Sequence, residues 1–255
     1  MQPDQTPTGV DMSPGSGWKG KSVMIRESDC ERFFEIVIGG DRVAARLAIA
    51  RLLDQGVPPE DVMLELYWPT LETVQKLHRS DQLSNLAHHF ATRLIRMLVD
   101  QMAALYRMEP STNRSVLAFC GNHEPEELAA QMAVDILEMS GFEVKFGGGG
   151  IARDEILAHV HQNQPDVLLL FASSPEDLPE IRQLIDTIKE IGASESTQIA
   201  VGGGVFTRAP GLAEEIGADT WANSPLDLVH TLIEEPNRRA SADQRTVGKK
   251  RRQAA

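Results

Sequence analysis

From Ser115 onward short apolar runs alternate with longer amphipathic ones, and this alternation restricts the fold more than any other feature of the chain. "SVLAFC" (115–120), "EVKFGGGG" (143–150), "DVLLLFASS" (166–174), "QIAVGGG" (198–204) and "ADTWAN" (218–223) have the length and apolar content of strands. Between and after them lie "PEELAAQMAVDILEMSG" (125–141), "ARDEILAHVHQNQ" (152–164), "PEDLPEIRQLIDTIKEIG" (175–192), "APGLAEEIG" (209–217) and "PLDLVHTLIEE" (225–235), which have helical spacing. A run such as "VLLLF" has no polar side, so its sheet must be covered on both faces. Five strands with helical crossovers predict a doubly wound α/β domain, a five-stranded parallel sheet of flavodoxin type, over residues 111–236.

Sheets of this kind bind ligands beyond the carboxyl ends of their strands. The residues that break the pattern fall there: "CGNHE" (120–124), Gly147–Gly150, Ser173 with Ser174, Gly202–Gly204 and "ANSP" (222–225). Each glycine run alone fits a tight strand-to-helix turn, but their coincidence on one edge points to a backbone that approaches a ligand. Neither GxGxxG after the first strand nor GxxxxGK[ST] occurs, which argues against ordinary dinucleotide and P-loop sites.

Upstream, residues 21–110 read as a helical bundle built from "DRVAARLAIARLLDQG" (41–56), "PPEDVMLELYWPTLETVQKLH" (58–78) and "SDQLSNLAHHFATRLIRMLVDQMAALYRM" (80–108). The last segment is expected to be capped by Ser80 or Asp81 and to turn a stripe of Leu83, Leu86, Phe90, Leu94 and Met97 inward. "ERFFEIVIGG" (31–40) fits a short strand or a helix, and "RMEPSTNRSV" (107–116) breaks the periodicity between bundle and sheet. The ends, 1–20 and 237–255, hold few large apolar side chains and are predicted to be disordered. The terminal "KKRR" is either a solvated tail or a contact for an acidic partner or DNA phosphate.

A net charge of −12 makes the body a poor general nucleic-acid binder, because its field repels phosphate. Cys30 and Cys120 are the two cysteines, with no ligand spacing between them, and no apolar run reaches membrane-spanning length. With no secretory leader pattern at the start, the expected location is the cytoplasm.

Among the histidines, His123 stands in the loop after the first strand, where it is either a ligand or a helix-cap side chain. His88 and His89 are adjacent on a helix, about 100° apart, so they cannot both face one pocket. His89, three residues after Leu86 and four before Arg93, is the one expected inward, with His78 a weaker candidate.

A bundle followed by a flavodoxin-like domain resembles the cobalamin-binding modules. Their bundle carries L-W-x-x-G-x-I-S-x-x-x-E-H-x-A-T-R over the corrin, and "LHRSDQLSNLAHHFATR" (77–93) keeps that spacing, with His78 at the Trp position, His88 at the Glu position and His89 at the His position. The resemblance implies that Ser173, Gly202 and Gly203 line the slot for the cofactor's nucleotide tail. The family's axial motif, D-x-H-x-x-G, aligns Asn122 with its Asp, but puts Glu124 at the His and Glu127 at the Gly, with His123 one residue early. Imidazole suits cobalt better than a carboxylate does, so His123 is the expected metal ligand. Together with "SPEDLPEIRQLIDTIKEIG" and the segment 198–229, the altered motif resembles the AerR/PpaA antirepressors of purple photosynthetic bacteria. That resemblance implies a light- or redox-responsive regulator, not an enzyme, which binds cobalamin (alternatively haem) and contacts a transcriptional repressor protein of photosynthesis genes. A corrinoid methyl carrier of a methyltransferase system is the alternative, and it should keep D-x-H-x-x-G.

Overall fold

The computed structural model describes residues 24–192, 194–241 and 244–245, so the expected tail at 1–20 and the "KKRR" run lie outside the described residues. The first half is helical: α1 (Glu27–Gly39), α2 (Arg42–Asp54), α3 (Pro59–Asp61), a π-helical stretch (Val62–Tyr67), α4 (Trp68–Arg79) and α5 (Asn85–Met102). The segment 31–40, open between strand and helix in sequence, is most of α1. It ends at Gly40, whose φ of 73° is the left-handed cap that glycine adopts without strain. Asp41 then caps α2, accepting from the N–H groups of Val43 and Ala44.

The π-helical stretch has an identifiable cause. Pro69 lacks an N–H, so the helical ladder loses a donor just past this stretch. The Glu65 carbonyl, four residues earlier, instead accepts a weak bond from the Cys30 thiol at 3.9 Å. The helix therefore continues through Trp68 with its register changed, and Trp68 turns toward the sheet.

Helix α5 departs from expectation in two ways. Its N-cap is Ser84, whose hydroxyl accepts from the Ala87 N–H; Ser80 and Asp81 lie in the preceding turn, Asp81 with a φ of 56°. Its buried face runs through His88, Ala91, Thr92, Leu94, Ile95, Leu98 and Val99, while Leu86 and Phe90 are exposed. The expected stripe is thus rotated by about one residue, or roughly 100°. The misreading followed from weighing Leu86 and Phe90 as core residues, whereas small Ala91 and Thr92 are what the close approach of neighbouring helices admits.

The second half contains β1 (Ser115–Cys120), α6 (Glu124–Met139), β2 (Glu143–Gly148), α7 (Arg153–Asn163), β3 (Val167–Phe171), α8 (Leu178–Ile191) and β4 (Gln198–Gly202). It closes with α9 (Gly204–Arg208), α10 (Leu212–Ile216), β5 (Thr220–Trp221) and α11 (Pro225–Glu234). All strand pairs are parallel, in the order β2-β1-β3-β4-β5, which is the flavodoxin order the alternation predicted. The central strand β3, "VLLLF", is buried at all five residues, and so is β4.

Two apolar cores flank the sheet. One, with Leu168, Leu170, Val201 and Ile185, packs α7 and α8 on one face. The other is continuous with the bundle: Leu128, Met132 and Ile136 of α6 and Leu228 and Leu232 of α11 join Phe33, Tyr67, Leu71, Ile95 and Val99 in a single cluster. The bundle is therefore packed onto one face of the sheet domain through α6.

Part of the predicted disordered end is instead ordered. The Ala240 N–H donates to Asp219 Oδ1 (2.8 Å), the Gln244 side chain donates to the carbonyl of Ala218 (2.8 Å), and the Arg238 guanidinium lies 4.5 Å over the Trp221 ring. Buried Asp219 also accepts from the Ile199 N–H at 2.8 Å, so it ties β4, β5 and residue 240 together. Composition misled here because these contacts are polar and need no large apolar side chain. Among the described residues no helix is long and apolar enough to cross a membrane. Both cysteines are free thiols.

The seam between bundle and sheet buries polar groups without partners among the described residues, the Tyr67 and Tyr106 hydroxyls and the Asp135 carboxylate. Asp135 of α6 has a buried carboxylate oxygen with no hydrogen-bond partner, and burial first, then Glu138 and Asp100, raises its pKa to about 7. The folded state then holds a proton that the unfolded chain releases near pH 4, so this residue's contribution falls as pH rises from about 4 to 7 and is flat above. Asp135→Asn should remove that slope and leave the protein more stable than wild type at pH 8, by on the order of 1–3 kcal/mol. Urea denaturation at pH 5 and pH 8 checks this; an equal loss between the two pH values in variant and wild type contradicts it.

Candidate functional site at the sheet edge

A cleft of about 140 Å³ opens between α4 and the carboxyl ends of β3, β4 and β5. One wall is a single face of α4: Trp68, Glu72, Gln75 and Arg79 stand at positions i, i+4, i+7 and i+11. The opposite wall holds Ser173, Gly202, Gly203, Gly204 and Arg208, and α11 contributes Pro225 and Leu228. Ala129 and Ala133 of α6 form the floor, small enough to leave room.

Glycine is required on the β4 side. Gly203 has a φ of 104°, and a Cβ there would sit 2.3 Å from the Ala172 carbonyl oxygen. At Gly204 a Cβ would meet only the tip of the Arg208 side chain, at 2.6 Å, which can shift, so the backbone demand for glycine rests on Gly203. The β5 end is fixed by a reciprocal cap: the Ser224 hydroxyl accepts from the Asp227 N–H (3.2 Å) while the Asp227 carboxylate accepts from the Asn223 N–H (3.1 Å). This explains "ANSP" as the start of α11.

Of the residues expected to bind a ligand, Ser173, Gly202 and Gly203 come together in this cleft. Asn122 and His123 belong to the β1–α6 loop, and Asn122 lines a separate depression with Cys120, Gly121 and Gly150. His123 is exposed and is the N-cap of α6; its carbonyl accepts from the N–H groups of Glu126 (2.9 Å) and Glu127 (3.0 Å). The loop is held close to the β2 end, since a Cβ at Gly149 would lie 2.4 Å from the Gly121 carbonyl oxygen.

The carboxylates of this loop are not the solvent-side companions of a helix dipole that their sequence position suggests. Glu126 is 5% exposed and turns inward, where Oε1 accepts from the Ser173 N–H at 2.7 Å. Its carboxyl faces that of Asp177, and burial first, then Asp177, raises its pKa. One of two such close carboxyls holds a proton more readily than either would alone. Glu127, at the position of the family's glycine, stands over Gly148 and lies 3.7 Å from Arg96 of α5. Burial pushes the Cys120 thiol up to about 12, so it is a packing residue and not a reactive thiolate.

On the cap, the imidazoles of His78 and His88 stack with centroids 3.9 Å apart, and His78 Nε2 lies 2.8 Å from Asn85 Oδ1. His88 is buried and His89, which meets it edge-on at 5.9 Å, is exposed. The structure thus turns His88 inward in place of His89, as the rotated face of α5 requires. Neither His78 nor His89 lines the cleft. Among the described residues no group of three or more His, Cys, Asp and Glu is arranged to hold a metal ion.

Sequence reasoning overlooked the α4 wall and Arg208. The i, i+4, i+7, i+11 set is present in "WPTLETVQKLHR", but Glu, Gln and Arg at those positions are equally what a solvated helix face carries.

A flavodoxin-like sheet under a helical cap, with a glycine-lined slot between them, defines a class of proteins that take a large ligand at the sheet edge. Residues 114–229 match a family model described as "B12 binding domain", and residues 29–102 match a second model of the same description. The chain carries both cobalamin-binding domains, and cobalamin is its cofactor. Dimethylamine corrinoid protein 1 of Methanosarcina acetivorans is 27% identical over 103 residues, 40% of this chain and 47% of that protein. Dimethylamine corrinoid protein 3 of Methanosarcina mazei is 26% identical over 103 residues, 40% of this chain and 60% of that protein. The match therefore spans only about half the length of these relatives. The monomethylamine corrinoid protein of Methanosarcina barkeri shares the fold, with a TM-score of 0.65 at 14% identity over 82% of this chain and 99% of that one.

The residues present fit the cofactor's nucleotide tail: the cleft is glycine-lined on one side and walled by Trp68 on the other. At the axial loop the fit differs from the family pattern, because Glu124 stands at the histidine position and His123 is the exposed cap residue before it.

Gly203→Val should abolish retention of cobalamin on gel filtration, because the side chain would need the space of the Ala172 carbonyl. Ile49→Ala, in the bundle core on α2 and outside the cleft lining, should leave at least part of it; equal retention by Gly203→Val and wild type would contradict the slot.

Proposed function

We propose that the chain is a corrinoid-carrying subunit without a reaction centre of its own, which holds cobalamin between cap and sheet and acts through a protein partner. The observation that carries this reading is the cleft itself: it is glycine-lined and lies between cap and sheet, and among the described residues no nucleophile with a positioned base lines it. The names of the two dimethylamine corrinoid proteins support a methyl carrier, which passes a methyl group to or from a methyltransferase.

A second reading is favoured by the axial loop. A methyl carrier relies on an imidazole below cobalt to tune its oxidation states, and this chain has Glu124 and Glu127 where the motif has His and Gly. A regulator has a looser requirement: the cofactor need only bind two arrangements of cap and sheet with different affinity. The Glu127–Arg96 pair and the stacked His78 and His88 are contacts that such a rearrangement could exchange. In this reading the loaded form binds a DNA-binding repressor of photosynthesis genes in response to light or redox state, and the acidic body keeps the protein itself off DNA. Haem, which has no nucleotide tail, would leave the glycine slot without a purpose.

The two readings separate on loading with adenosylcobalamin. A regulator should show a light-dependent change in both its corrin spectrum and its protease-cleavage pattern in the cap, whereas a carrier should show an unchanged cleavage pattern. His123→Ala should alter the spectrum of bound hydroxocobalamin and weaken its binding if this histidine ligates cobalt; an unchanged spectrum and affinity remove it as the ligand.

A further inference from the structure

Two arginines face the same opening from opposite walls, and neither has a carboxylate partner among the described residues. Arg79 ends α4 on the cap side, while Arg208 ends α9 on the sheet side. The Arg208 guanidinium is held in place: Nη2 donates to the Ser173 carbonyl at 2.6 Å, and Nη1 lies against Gly204. Arg79 makes no hydrogen bond or ion pair among the described residues, and both burial and the Arg208 charge lower its affinity for its proton. Two like charges converging on one opening repel each other, and an anion between them turns that repulsion into attraction from both sides.

Two acidic residues share the lining, Glu72 and Glu126, and among the described residues neither is ion-paired to Arg79 or Arg208. Glu126 accepts from the Ser173 N–H at 2.7 Å, and burial first, then Asp177, raises its pKa. Glu72 accepts a hydrogen bond from Trp68 one turn earlier on α4, and burial raises its pKa. It is seven residues before Arg79 on the same helix, roughly 10 Å of helical rise. On α4 itself, Trp68 and Glu72 thus belong to the start of the helix and Arg79 to its end.

We propose that Arg79 and Arg208 form an anion clamp that takes the phosphodiester of the cobalamin nucleotide tail, tying the cap to the sheet through the ligand. The inference rests on the cobalamin reading and adds a residue-level reason for selecting corrinoids that carry the phosphorylated tail. Arginine suits the role because its planar fork can bond two phosphate oxygens at once and stays charged at any physiological pH. Neither residue is part of the metal-ligand loop, so the clamp should govern affinity for the tail and leave the environment of cobalt unchanged.

The test compares the full chain binding hydroxocobalamin with its binding of dicyanocobinamide, which lacks the phosphate, ribose and base, by equilibrium dialysis. Wild type should prefer hydroxocobalamin. Arg79→Gln should weaken hydroxocobalamin by roughly tenfold, the loss of one charge-assisted contact, and leave cobinamide within about twofold. Arg208→Gln should do the same, Arg208→Lys should recover part of the loss, and high salt should shrink the difference. Arg79→Gln is the cleaner variant, since no internal bond is removed, and an unchanged thermal unfolding profile would show that it folds. Equal weakening of both corrinoids, or no weakening of either, overturns the clamp while leaving the cobalamin reading in place. Retention of neither corrinoid by wild type overturns both.

Discussion

The structure depends on one apolar seam, the face of α6 that packs at once on the sheet and on the bundle. Leu128, Met132 and Ile136 are fully buried in a cluster that also holds Tyr67, Leu71, Ile95 and Val99 of the cap. Burying such side chains is worth roughly 1.5–3 kcal/mol each, which no surface contact between two separate domains would match. With the cap held this firmly, the small residues Ala129 and Ala133 on the same helix leave a gap below Trp68, and that gap is the candidate ligand cleft. The site is therefore a consequence of how α6 divides its face between large and small side chains.

The doubly wound sheet was legible in sequence because its signals are strong and local. Apolar runs such as "VLLLF", the glycines at the strand ends and the helical spacing between them leave few other arrangements, and the strand order follows. That Ser173, Gly202 and Gly203 come together was legible for the same reason: their position at strand ends puts them on one edge of the sheet whatever the rest of the chain does. The rotation of α5 was not, because the burial of His88 in place of Phe90 is decided by what neighbouring helices present. Nor was the α4 wall, whose Trp68 is turned by the π-helical stretch before Pro69. The role of Glu126 was not legible because a carboxylate in a first helical turn usually faces water, and only the folded chain shows the Ser173 N–H it accepts from.

The axial loop is where this chain departs most from the pattern it resembles. The glycine of that pattern leaves space above the loop, and Glu127 fills the position with a side chain that reaches Arg96 of the cap. Glu126 meanwhile links the loop to β3 and to Asp177. The loop is thus tied to both the cap and the sheet, so whatever ligates cobalt there would be felt by the contact between the two halves. A protein that works by presenting its cofactor to a partner, or by changing shape around it, has use for such a connection.

Hydrogen–deuterium exchange of the protein with and without hydroxocobalamin tests the central claim most directly. Cobalamin held between cap and sheet predicts new protection in α4, from Trp68 to Arg79, and in the segment 202–208, with little change in α2 or α7. Protection confined to the β1–α6 loop, with α4 and the glycine segment exchanging as before, would contradict it.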